Sequence, residues 1–250
     1  MIIEHPNNAD AQALWALWQE AFGDTEAFWQ SFCRAAFSPR RCLVAREDGK
    51  LAAALYWFDC SCRGQKLAYV YGVATAKAFR GRGICHSLMD ALHSRLKAAG
   101  YVGAALVPGS QSLIDLYGAM GYAPFCGMEE ISCAPGQPVK LQPISFGEYG
   151  ILRAALLPPG AIVQENENLA FLAAQAELYR GESFLLAARK EDDRLLALEL
   201  LGDESAASGI VAALGCREGR FRRFGSGKVF GLYRPLTSAP PPTYFALAFD

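Results

Sequence analysis

Apolar residues recur along this chain at two spacings, and the switches between them mark out the elements. Trp15, Trp18 and Phe22, then Phe28, Trp29 and Phe32, fall at helical spacing and predict helices over 9–22 and 25–37, broken by Gly23-Asp24. Short apolar runs at 2–5, 42–46, 51–60 and 69–75 read as strands, with Glu47-Asp48-Gly49-Lys50 as a hairpin turn. From Ile84 the helical period returns through Leu88, Ala91, Leu92, Leu96 and Ala99, and Gly100 suits a left-handed cap. A strand at 101–107 and a helix at 110–121 follow.

Around Ala134-Pro135-Gly136-Gln137-Pro138 the chain changes character, which sets an expected boundary between domains 1–136 and 137–250. Beyond it the pattern predicts helices at 146–156, 168–179 and 205–214. Strands are expected at 184–189, 194–201, 219–224, 229–233 and 244–249, with Pro240-Pro241-Pro242 as a stiff connector. The order of helices and strands predicts an α/β (α+β) fold class, with a second, smaller α+β domain.

The chemistry concentrates between the strand at 69–75 and the helix at 84. There the chain reads Arg80-Gly81-Arg82-Gly83-Ile84-Cys85. Amides opening a helix have no intrahelical acceptor and lie at the positive end of its dipole, so an anion settles there. Glycines let those amides turn inward and a pyrophosphate approach, while the arginines add charge at the rim. A dinucleotide loop would need a third glycine and a later acidic residue. A triphosphate loop would need lysine followed by serine or threonine, and neither pattern is present.

What remains resembles the R-G-x-G-x-G/A signature of the GCN5-related N-acetyltransferases, the GNAT superfamily. The helix ending Tyr117-Gly118-Ala119-Met120-Gly121-Tyr122 resembles that family's Y-x-x-x-G-F/Y ending, and the order of elements around the loop is similar too. The resemblance covers the first half of the chain and implies for it the family's mixed central sheet flanked by helices. It implies acetyl-CoA as cosubstrate, with the pyrophosphate at Arg80, Gly81, Arg82, Gly83, Ile84 and Cys85. The pantetheine arm would lie against the backbone of Val73, Ala74 and Thr75, and Ser110 stands where an asparagine often binds it. Tyr117 matches the tyrosine that protonates the departing thiolate, a role open to a phenol of pKa about 10.

The implied reaction is direct transfer of acetyl from coenzyme A to an amine of a small molecule or peptide; a longer acyl group would change only the pocket depth. The other reading is a catalytically silent coenzyme-A-binding or regulatory module. It is favoured by the absence of a carboxylate from 66–75, where the family often carries its general base. Asp59, Glu26 and Asp250 are the alternative base candidates. The second half faintly repeats the element order of the first without the glycine loop, so it reads as a degenerate GNAT-like domain or as an unrelated α+β domain.

Composition narrows the remaining classes. With 52% hydrophobic residues and a net charge of −1 over 250 residues, the chain can bury sizeable cores and lacks a broadly basic nucleic-acid surface. Arg220, Arg222 and Arg223, interleaved with Phe221 and Phe224, read as a strand rather than an RNA platform. Eight cysteines, no signal peptide and no membrane-length apolar run point to a cytoplasmic protein. His5, His86 and His93 form no ligand set with those cysteines, so no metal is expected. Aromatic strands and apolar helices leave room for a homodimer interface.

Overall fold

The computed structural model describes residues 1–249, which fall into two compact units. The first comprises Met1–Ala123 and Leu232–Pro241; the second comprises Pro124–Gly231 and the segment from Pro242.

Unit 1 begins with β1 (Ile2–Glu4), α1 (Ala11–Phe22) and α2 (Glu26–Ala35). Gly23 closes α1 in the left-handed conformation and the Thr25 hydroxyl caps α2, so the expected break at 23–24 is present. β2 (Cys42–Glu47), β3 (Lys50–Cys62) and β4 (Gln65–Thr75) form a meander. Its two tight turns place Asp48-Gly49 and Arg63-Gly64 at positive φ, the geometry that matches strand twist in two-residue hairpins. The second turn starts β4 at Gln65, four residues before the expected start. Its first residues are exposed and polar, so apolar content alone leaves them out.

After β4 come α3 (Ile84–Ala98), β5 (Gly103–Leu106) and α4 (Gln111–Ala119). β4 runs parallel to β5, and the far side of β5 is closed by Leu232–Pro235, arriving antiparallel from late in the chain. The α3 side of this sheet is a core of Leu43, Leu55, Val70, Leu88, Leu92 and Leu106, completed by Leu232 and Leu236. On the α1 side, Trp18, Phe32, Tyr56, Phe58, Tyr69 and Tyr71 pack ring against ring.

Unit 2 holds β6 (Ala123–Cys133, its first residue in unit 1), β7 (Gln142–Pro143), α5 (Phe146–Leu156), β8 (Val163–Gln164), α6 (Glu167–Ala173) and β9 (Glu177–Arg180). Then follow β10 (Phe184–Glu191), β11 (Arg194–Gly202), α7 (Ala207–Ala213), β12 (Glu218–Phe224) and β13 (Lys228–Pro235), whose second half is the strand closing unit 1. The sheet order within the unit is β6-β12-β11-β10-β9-β7, with β11 and β12 parallel.

Two expectations fail here. The helix expected over 168–179 stops at Ala173, and Glu177–Arg180 pairs with β10 as a strand. The apolar run 244–249, buried from Phe245 onward, is not a ladder strand. Gln164 donates to the Leu247 carbonyl, the Ile162 amide donates to the Tyr244 carbonyl, and the Tyr244 hydroxyl bonds Glu199. Asp250 lies outside the described residues.

Candidate active site

The site grows out of an irregularity in β4. Against β3, Ala54 faces Ala74 but Tyr56 faces Tyr71, so two residues, Gly72 and Val73, stand opposite Leu55. This β-bulge resets the alternation of side chains. Before it, Ala68 and Val70 face the α3 core; after it Val73, not Gly72, packs there. Pairing of β4 with β5 is registered over Leu67–Tyr69 and ends just ahead of the bulge. Beyond that point the two parallel strands part, and the β5-facing backbone of β4 from Tyr71 to Thr75 is left without a ladder partner in β5. Val73, Ala74 and Thr75, the residues expected to pair with an extended ligand, lie on this stretch that β5 does not pair.

The edge leads into the glycine loop. After a short turn at Lys77–Phe79, Gly81 and Gly83 take φ of +76° and +74°, and a β-carbon on either would point into open space. Gly83 is the N-cap of α3, and no side chain caps the helix, so the amides of Ile84, Cys85 and His86 remain available to an anion. Arg80 turns back to donate to the Thr75 carbonyl at 3.0 Å, tying the loop to the end of β4. The Arg82 guanidinium lies 5.5 Å over the Phe79 ring, where it stays exposed at the rim. Ile84 is buried and anchors the first turn in the core.

Cys85 and Tyr117 come together from α3 and α4. The Cys85 thiol is half-buried, and burial pushes its pKa up, so it is held protonated rather than activated as a nucleophile. Tyr117 is raised as well, first by burial and then by the charge that Cys85 would carry, which keeps the phenol protonated at neutral pH. Its ring meets Tyr122 edge-on at 5.8 Å, and the Tyr122 hydroxyl bonds His93 Nε2 at 2.9 Å. His93 falls from the ordinary 6.5 to about 4 through burial and the nearby Arg234. Tyr117 thus stands on a neutral polar floor that neither motif reading nor composition marks out; a histidine on the apolar face of α3, two turns past the loop, is the one trace it leaves in the sequence.

Other expected residues are occupied elsewhere. The Ser110 hydroxyl caps α4 by accepting from the Leu113 amide. Asp59 lies opposite Ala68, at the paired end of β4, where it accepts from the Tyr101 hydroxyl and faces Arg41. Glu26 is exposed in the first turn of α2 and accepts from Gln30. In unit 2, Arg220 pairs with Glu130 and Glu191 and Arg223 with Glu129, an ion-pair ladder across strands. Among the described residues, no three or more His, Cys, Asp or Glu gather where a metal could sit, and no helix is long and apolar enough to cross a membrane.

Parted parallel strands leading into an uncapped helix start set an open strand edge beside amides that can hold an anion. Residues 3–125 match the family model of the acetyltransferase (GNAT) domain, so the N-terminal half of this chain belongs to the GNAT superfamily. Among solved structures, the chain is similar to a GCN5-related N-acetyltransferase from Kribbella flavida, at 16% identity and TM-score 0.71, covering 94% of this chain and 70% of that one. A GCN5-related N-acetyltransferase from Anabaena variabilis is similar at 14% identity and TM-score 0.71, covering 94% and 73%. At such identities the likeness speaks to the fold, and it extends through both halves of the chain. Among curated proteins none matches.

Proposed function

We propose that this protein is an acetyl-CoA-dependent N-acetyltransferase acting by direct transfer on an amine of a small molecule or peptide. The observation that carries this reading is the continuity of the β4 edge at Val73–Thr75, which β5 does not pair, with the uncapped amides of Ile84, Cys85 and His86. An extended pantetheine arm and its pyrophosphate need those two surfaces in that order. The arm takes strand-like hydrogen bonds from the edge, the pyrophosphate takes the amides, and Arg80 and Arg82 offset its charge. Held so, the thioester carbonyl is presented to a neutral amine. The amine attacks the carbonyl carbon, the tetrahedral intermediate expels the thiolate as the C–S bond breaks, Tyr117 donates its proton to that sulfur, and the proton that the nitrogen sheds on becoming an amide passes through solvent to restore the phenol.

We read unit 2 as an α+β domain of the same chain with no coenzyme loop of its own, since the Arg-Gly-x-Gly pattern occurs once. Titration calorimetry of acetyl-CoA into the wild type and a Gly83→Glu variant tests the donor site. Saturable binding that the added carboxylate abolishes supports it, and no binding by a folded wild type overturns it. Binding without turnover across an amine panel would instead favour a silent coenzyme-binding module.

A further inference from the structure

The bulge that opens β4 is packed from its α1 side by two rings, those of Trp18 and Tyr56. Gly72 takes φ +57°, and its missing β-carbon points away from the α3 core; a carbon there would stand 2.8 Å from Trp18 Cζ3 and 2.9 Å from Tyr56 Cδ2. The indole of Trp18 therefore lies directly on the backbone of the extra residue. Trp18 is 2% exposed, and its ring is wedged among Phe32 at 5.1 Å, Tyr56 at 5.4 Å and Tyr71 at 5.7 Å. Its single polar atom, Nε1, donates to Asp24 Oδ2 at 2.8 Å. Asp24 belongs to the turn between α1 and α2, half-buried beside the left-handed Gly23.

We infer that Trp18 is a positioning residue for the coenzyme cradle, with Asp24 as the peg that fixes it. This rests on the reading of Val73–Thr75 as the pantetheine edge. A bulge is one of two ways for β3 and β4 to pair: relaxing it by one residue would turn Val73 away from the α3 core and change which β4 amides and carbonyls face the parted side. The indole face fills the space that such a relaxed strand would need, and only glycine admits it so close. The rotation of a flat ring about its own bond is set by its polar end. A buried indole N–H that loses its acceptor is driven to find another, and the ring shifts with it. Asp24 therefore acts on the coenzyme site through Trp18, to whose indole its carboxylate is hydrogen-bonded. The turn between α1 and α2 is coupled by the same path to the affinity for coenzyme.

The test is acetyl-CoA calorimetry on four proteins well below their unfolding temperatures, with circular dichroism to establish folding. Asp24→Ala should weaken binding about fivefold, the range expected when one buried donor is orphaned. Asp24→Asn, which keeps an acceptor and removes the charge, should restore affinity to within about twofold of wild type on the same hydrogen-bond grounds. The wild type and Gly83→Glu complete the set. Loss of binding in Gly83→Glu with unchanged affinity in Asp24→Ala overturns the positioning role and leaves the coenzyme site standing. Equal weakening in Asp24→Asn and Asp24→Ala overturns it too, because charge rather than the indole bond is then at work. No binding by the wild type overturns the coenzyme reading and this inference together.

Discussion

The ring of Tyr233 lies across the backbone of Gly103. A β-carbon at Gly103 would stand 2.1 Å from the phenol oxygen and 2.2 Å from Cε2, and both residues are buried. The two strands that meet there, β5 and the end of β13, are packed as closely as backbone and ring allow. Gly103→Ala is expected to cost about 2 kcal/mol or more, since the ring has no open space to move into. Urea unfolding of the variant measures this, and an unchanged midpoint would mean the ring swings aside freely.

Tyr117→Phe should lower turnover about a hundredfold or more, the usual worth of a positioned general acid, with coenzyme affinity nearly unchanged. Steady-state kinetics on any acceptor that the wild type uses, paired with calorimetry, separates the two. Retained turnover would remove Tyr117 from the chemistry while leaving the pyrophosphate site untouched.

His93 gives the fold an acid-side weakness. Its folded pKa of about 4 lies below the ordinary 6.5, so the native state binds fewer protons than the unfolded chain between those values. The stabilisation is complete above pH 6.5 and is lost as pH falls toward 4. Thermal melts over that window should show a decline that His93→Gln flattens. Parallel declines in both proteins would place the acid sensitivity elsewhere.

In unit 2, Arg153 and Glu199 form a bidentate pair at 2.7 and 3.0 Å with both side chains buried, and the hydroxyls of Tyr149 and Tyr244 also bond Glu199. Removing one member strands the other charge without solvent, so Glu199→Ala should lose about 3–5 kcal/mol. Glu199→Gln keeps the shape and loses the charge, and should fall between the two in a denaturant melt. A mild effect of Glu199→Ala would show that water reaches Arg153.

How much of this was legible depended on whether the signal was local. The loop could be read because glycines, arginines and a following apolar period are sequence-adjacent, and the physics of a helix start acts within a few residues. The helix at 146–156 and the turn at Asp48-Gly49 are equally local. Glu177–Arg180 was hidden because an alanine-rich stretch continues the helical pattern of α6, and only pairing with β10 makes it a strand. The run 244–249 has strand composition, yet side chains and isolated amides rather than a ladder hold it. Gly72 could not be distinguished from any other strand glycine until Trp18 and Tyr56 were seen against it.

The closing of β5 by Leu232–Pro235 has a consequence for the making of the protein. At the ribosome, β1 to α4 emerge while the strand that seals their sheet is still unmade. At ordinary synthesis rates the open edge of β5 waits on the order of ten seconds for it. During that interval the family-matching segment is an unfinished sheet with an unpaired edge and a core lacking Leu232 and Leu236, the kind of surface that chaperones guard. A gene trimmed to residues 3–125 would make that waiting state permanent.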